Sequence, residues 1–192
     1  MKPFTLFSSV TLLSTLLLAS PYQSHQEVYD DVVKTGNEVS MSLLKTLGKN
    51  LKGHMQKEGP LGAAKFCNEQ AFLLTEFTDK NAGKDVSVKR ISLKDRNPAN
   101  RPVGSEKTVM NALQNLQDSN VILPKFLVER VDKNTIKYYK PLNINKGVCL
   151  KCHGNITNPK LSKFLKDHYP NDKATNYKMG DLRGAVVVTI KK

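Results

Sequence analysis

KFLVERVDKNTIKYYKPL, residues 125–142, holds two β-prone runs, 125–132 and 135–142, joined by the polar pair Lys133-Asn134. This is the layout of a β-hairpin, and it makes the sheet to which it belongs antiparallel. Working outward, VSVKRISL at 86–93 alternates as a strand does, and RGAVVVTIKK from residue 183 supplies a closing strand. Between the first strand and the hairpin lie the loop KDRNPANRPVG and a helix expected over Ser105–Gln117, with Val109, Leu113 and Leu116 inward. Upstream, Val28, Val32, Val39, Leu43, Leu44, Leu47, Leu51 and Met55 recur at helical spacing, which predicts a long amphipathic helix from Glu27 to Met55. Gly59-Pro60 ends it, and Pro60 suits the first position of a second helix. That helix is expected over Leu61–Phe77, with Leu61, Ala64, Cys67, Ala71 and Leu74 on one face. A short helix is expected over Pro159–Lys166. The element order predicts an α+β domain with a leading helical pair and an antiparallel sheet. Residues 25–192 read as one such domain, without internal repeats.

The N-terminal MKPFTLFSSVTLLSTLLLAS carries Lys2, an apolar run from Phe4 to Ala19 studded with Ser and Thr, and a following polar stretch that contains Pro21. Residues 1–24 therefore read as a secretory signal peptide. The run is too short and too hydroxylated for a span, which wants about 20 apolar residues. No clean A-x-A precedes Ser20, so an uncleaved anchor in the inner membrane stays open beside a periplasmic location. The composition, 39% hydrophobic with no Trp, suffices for one core. The formal charge of +13 suits nucleic acid, an anionic membrane surface or an acidic protein partner, and export excludes nucleic acid. A basic surface that merely keeps the protein soluble is the plainer alternative.

Two of the three cysteines stand in GVCLKCHGN, residues 147–155, and the third is Cys67 in AAKFCNEQA. One reading is a disulfide plus a free thiol. A thioredoxin-like dithiol lacks the surrounding βαβ pattern and leaves His153 unexplained. A zinc site would need adjacent Cys152 and His153 on one tetrahedral ion, an awkward geometry. The third reading is attachment of a c-type haem, for which C-x-x-C-H is the signature. Cys149 and Cys152 then form thioethers with the two vinyl groups, and the adjacent His153 lies beneath the iron as proximal ligand. Export fits, because this attachment is made outside the bacterial inner membrane.

ISLKDRNPANRPVGSEK, YYKPL, CLKCHG, LRGAVVVTI and a helical pair with Cys67 on its second member together resemble the PAS-like c-type haem domain family. That family includes cyanobacterial-type His/Cys-ligated haem proteins and the extracytoplasmic sensor parts of bacterial signalling proteins. The resemblance runs from about residue 28 to 191. It implies a PAS-like antiparallel sheet with one covalent haem between the helical pair and the motif loop. By the same resemblance, Cys149 and Cys152 are the thioether residues, and His153 and Cys67 the axial ligands. Such domains often precede kinase or cyclase domains. Here the last strand ends at Lys192, so a signal is expected to leave through a partner protein or as electrons.

Read from the residues alone, a lone cysteine such as Cys67 on an apolar helix face is more often a small buried hydrophobe than a ligand. Rivals for the sixth position are His54, His168, Met55, Met110 and Met179. Met179 is the strongest, because it follows the motif as in ordinary monohaem cytochromes. Thioether sulfur raises the potential and thiolate lowers it, so this ligand decides the function. With Cys67, the expectation is a redox or gas sensor for CO or NO, in which ligand loss moves the long helix. With both ligands kept through the redox cycle, it is a periplasmic electron-transfer cytochrome docking an acidic partner. No acid–base constellation stands out, and no enzyme activity is expected. Arg96 and Arg101, with Arg90 and Lys94, are candidate partners of the haem propionates. Alternatively, Asn97-Pro98 and Asn100 simply form a turn. Tyr138, Tyr139, Phe126 and Phe66 read as core or pocket wall. Asn155-Ile156-Thr157 matches a glycosylation sequon, without meaning in a periplasm.

Overall fold

The computed structural model describes residues 25–192, so the expected signal segment lies outside the described residues. The chain opens with α1 (His25–Glu69), kinked at Gly59, whose φ of 70° and ψ of −165° suit a residue without a side chain. Pro60 follows as the first residue of the second arm, as the dipeptide predicts. The second expected helix is broken once more, at Gln70 (φ −117°), and continues as α2 (Ala71–Lys80). At this break the chain turns onto β1 (Val86–Ile91): Asp79 Oδ1 accepts the Val88 amide at 2.6 Å, and the Ala71 carbonyl accepts Arg90 Nη2 at 3.2 Å. Tertiary bonds of this kind leave no trace in helical periodicity.

Then follow α3 (Ser105–Asp118), β2 (Leu127–Arg130), β3 (Thr135–Asn143), α4 (Leu150–His153), α5 (Pro159–His168) and β4 (Leu182–Lys191). The four strands form one antiparallel sheet in the order β1-β4-β3-β2. The hairpin is present, with Leu127 opposite Tyr139 and Arg130 opposite Ile136. Asp132 Oδ1 accepts the Asn134 amide at 2.8 Å and closes its turn.

The closing strand β4 lies inside the sheet, between β1 and β3, and is covered on both faces. That explains why Val186, Val187 and Val188 run without a polar residue between them. One face, with Val88, Ile136, Tyr138, Val186, Val188 and Ile190, packs on Val32 and Leu43 of α1. The other, with Ile91, Tyr139, Ala185 and Val187, packs on Met110 and Leu113 of α3. Full burial of each such side chain stabilises by about 1.5–3 kcal/mol. Gly36 lets α1 approach the first face, because a Cβ there would stand 2.2 Å from Tyr138 Cγ.

Residues 144–181 form an excursion between β3 and β4. Its ends are clipped by Ile144 N–H to Asp181 O at 2.9 Å and Gly180 N–H to Ile144 O at 2.8 Å. At its return, Leu142 pairs with Gly184 and Asn143 with Leu182, so the register skips Arg183. This β-bulge takes Arg183 out of the strand's alternation.

Candidate functional site

The excursion carries the motif. A 3-10 turn over Gly147–Cys149 runs straight into α4, so Cys149 and Cys152 stand one helical turn apart. Cys149 packs with Ile144, Ala174 and Tyr177, and Cys152 with Ala64, Leu161 and Leu165. Cys152 Sγ lies 3.7 Å from the carbonyl oxygen of Pro60, which places α4 against the second arm of α1. All three cysteines are free thiols. Among the described residues, no three His, Cys, Asp or Glu side chains converge as a metal cage would require.

His153 ends α4. Its Nδ1 lies 2.8 Å from the Ala174 carbonyl oxygen and donates to it, so the neutral ring keeps its lone pair on Nε2. Burial, and then the charges of Arg183 and Arg96, hold the imidazole well below its ordinary pKa. The ring meets Tyr177 edge-on at 6.2 Å, and the Tyr177 amide donates to the His153 carbonyl at 2.9 Å. A neutral imidazole so oriented has the form of a metal ligand.

The segment 172–177 that holds His153 is itself held by the RNPAN loop. Arg96 Nε donates to Asp172 Oδ2 at 2.9 Å, and its Nη2 to the carbonyls of Cys152 at 2.6 Å and Ala174 at 3.2 Å. Asp172 Oδ1 accepts the Ala174 amide at 2.8 Å. Lys94 Nζ donates to Thr175 O at 2.7 Å and sits 4.3 Å from the centre of the Tyr177 ring. Asn97 caps the turn Pro98–Asn100 by accepting the Ala99 amide at 2.9 Å. The loop thus makes both a turn and a clamp. Arg101 is exposed and pairs with buried Asp95 at 3.2 Å.

Cys67, near the end of the second arm of α1, is in electrostatic reach of the same groups. Burial pushes its thiol up, and the charges of Arg90, Arg96 and Arg183 oppose the shift. Burial likewise pushes the Cys152 thiol up to about 11. Arg183 Nη1 donates to Ser92 Oγ at 2.7 Å, and its guanidinium lies 5.4 Å from the Tyr177 ring centre. Arg90 Nε is buried and, among the described residues, has no partner. Two arginines, Arg96 and Arg183, act on both Cys67 and His153, so the fold brings these distant residues within electrostatic reach of one cationic cluster. A cleft of about 360 Å³ opens beside α4, lined by Pro60, Gly147, Leu150, Asn155, Asn158 and Leu161.

The rival side chains lie elsewhere. Met179 is exposed on the turn before Gly180, and Met110 is in the core under α3. His54 stacks on Phe66 at 4.9 Å and bonds Glu58, and exposed His168 stacks on Phe164 at 4.0 Å. Met55 is half-buried near the end of the first arm. Arg183, Asp172, Ala174 and Tyr177 carry no motif and escape the sequence reading. The one available signal for Arg183 was its place beside Gly184 at the start of a buried strand, where bulges concentrate.

Fold and site define an α+β protein whose excursion carries a Cys-x-x-Cys-His turn within electrostatic reach of a half-buried cysteine and a cluster of arginines. The Tll0287-like family model matches residues 17–191, and the chain belongs to that family. Among solved structures, the crystal structure of the cyanobacterial haem protein Tll0287 is similar, with a TM-score of 0.59 and 23% identity. The match covers 88% of this chain and 98% of that one. No curated protein matches. The resemblance read from RNPAN, CLKCHG and the closing strand is borne out at the level of family and of α+β fold.

Proposed function

We propose that this chain is an exported protein, free in the periplasm or anchored to the inner membrane, that holds one haem c and works as a redox or gas sensor. Cys149 and Cys152 form its thioethers, His153 is the proximal ligand and Cys67 the second. The observation that carries this reading is the commitment of His153 Nδ1 to Ala174 O, which leaves Nε2 for iron at the end of a Cys-x-x-Cys turn. The residues fit the group in a second way. A buried Arg90 Nε without a partner, beside Arg96 and Arg183, calls for an anion, and haem carries two carboxylates. Arg90 and Arg183 would then be the partners of the propionates, while Arg96, already bonded to Asp172 and two carbonyls, positions the motif.

When bound, the haem supplies a one-electron couple and a site for CO or NO. The protein's part is to hold and release Cys67. Its burial favours the neutral thiol, so the anion persists only while a cation compensates it. Were Cys67 to hold the haem, its burial would favour the protonated thiol once it was no longer a ligand, and the kink at Gly59 is the place where the second arm of α1 could adjust. A second reading, an electron carrier, is favoured by exposed Lys146, Lys151, Lys173 and Lys178 around the motif, which suit an acidic docking partner. Neither reading requires catalysis.

The test is expression with c-type haem maturation, followed by oxidised and reduced spectra with and without CO. Haem that survives denaturing extraction in wild type but not in Cys149→Ser/Cys152→Ser establishes attachment. Loss of thiolate features in ferric Cys67→Ser, with CO binding in reduced wild type, establishes the sensor. Two ligands kept in both redox states, with no CO binding, establish the carrier instead. Absence of covalent haem from wild type refutes both.

A further inference from the structure

The haem site leaves one charged feature unused. Residues 39–57, on the first arm of α1, hold Lys45, Lys49, Lys52 and Lys57 and no acidic residue. All four lysines are exposed. On the same arm Met41 and Leu51 are 46% and 37% exposed, although both lie on a helix that packs a sheet. Leu47 is the last residue of this arm packed on the sheet core, and beyond it the arm continues to the kink at Gly59, with His54 stacked back on Phe66 of the second arm.

At about 100° per residue, Met41, Leu44, Gly48, Leu51 and Met55 fall in an arc of roughly 80° and span about 21 Å of helix. Lys45, Lys49 and Lys52 fall in the next arc of about 60°, immediately beside them. The apolar face is turned away from the buried one of Val32, Gly36 and Leu43, but Leu44 at its edge still packs on the sheet core and Met55 is half-buried, so Met41 and Leu51 are its exposed apolar side chains. A shallow groove bounded by Glu38, Met41, Ser42, Leu44 and Lys45 lies at its start. Among the described residues no helix is long and apolar enough to cross a membrane.

We infer that the arm from Met41 to Lys57 docks on an anionic phospholipid surface, with Met41 and Leu51 entering the headgroup boundary and the lysines meeting lipid phosphates. Charge complementarity selects this occupant. Four lysines uninterrupted by acids repel a second copy of the same arm, while each lysine near an anionic surface strengthens binding about fivefold. The stripe itself is modest in area, so apolar insertion alone holds the protein weakly and the interaction depends on anionic lipid.

The test is sedimentation of the haem-loaded protein, as its host exports it, with phosphatidylcholine vesicles lacking or containing about 30% phosphatidylglycerol. Expected is binding to the anionic vesicles only, lost in about 0.5 M NaCl. Lys45→Glu/Lys49→Glu/Lys52→Glu weakens it about a hundredfold, and Leu51→Asp weakens it severalfold, with circular dichroism unchanged. The equal charge change Lys160→Glu/Lys163→Glu/Lys166→Glu on α5 has a much smaller effect. Equal losses in both triple variants would mean that net charge alone binds, and equal binding to neutral vesicles would mean that the N-terminal apolar run does. Either overturns the inference. So does an absence of vesicle binding, whether the chain is a monomer or a dimer that Leu51→Asp dissociates by light scattering.

Discussion

The Ala174 carbonyl oxygen accepts two hydrogen bonds, from His153 Nδ1 at 2.8 Å and from Arg96 Nη2 at 3.2 Å. One acceptor thus ties the motif histidine to the loop after β1. The two residues are 57 positions apart in sequence, and Asp172 locks the arrangement by holding both Arg96 Nε and the Ala174 amide. Orientation of the imidazole therefore depends on a guanidinium that never contacts the ring by a hydrogen bond of its own.

Removal of Arg96 leaves the largely shielded Asp172 carboxylate without its cation, with only the Ala174 amide to compensate it, and two carbonyls lose a donor. Arg96→Met is expected to lower stability by about 3–5 kcal/mol, read from urea unfolding. Arg96→Lys keeps the charge but cannot reach three acceptors at once, so it recovers only part of that loss. An Arg96→Met protein as stable as wild type would contradict the clamp.

Two glycines of α1 make a matched pair. Gly36→Ala drives a methyl into Tyr138 and is expected to destabilise by roughly 1–3 kcal/mol. Gly48→Ala, with nothing within 4 Å of its Cβ, should instead stabilise by up to about 1 kcal/mol through helix propensity. Thermal unfolding of the two variants should move in opposite directions.

Glu106 is buried at the start of α3, with Lys89 at 2.7 Å and Lys137 at 3.0 Å. Burial alone raises its carboxyl, but bonds from Lys89, the Val103 amide and Lys137 outweigh that and hold the pKa below the ordinary value. A depressed folded pKa adds stability above the unfolded pKa, and this is lost as pH falls through the folded one. Wild type should therefore lose stability more steeply than Glu106→Gln between about pH 5 and pH 3. Parallel slopes in denaturant titrations would refute the ion-pair account.

Met179 is 53% exposed at a turn, so Met179→Leu should leave the ferric and ferrous spectra unchanged and shift stability by less than about 0.5 kcal/mol. Cys67→Ser should alter the ferric spectrum under the same conditions. The reverse pattern would give the sixth position to Met179 and favour the electron carrier.

Much of the fold was legible because its signals are local. The Lys133-Asn134 turn, the Gly59-Pro60 kink, the alternation of 86–91 and the Pro159 helix start each follow from a few adjacent residues. Misreadings came where distant contacts intervene. The break at Gln70 depends on bonds to β1 from Ala71 and Asp79, and the inward face of α3 is set by Met110 and Leu113 rather than by Leu116.

The sequence by itself determined the element types, the antiparallel hairpin and the Cys149-Cys152-His153 turn, because each rests on side-chain spacing and backbone preference within a few residues. Tertiary structure alone decided that β4 enters between β1 and β3, that the bulge redirects Arg183, and that Cys67 shares Arg96 and Arg183 with His153. Strand order and pocket membership are set by burial and hydrogen-bond satisfaction over the whole chain, and these are properties of the packed molecule rather than of any segment.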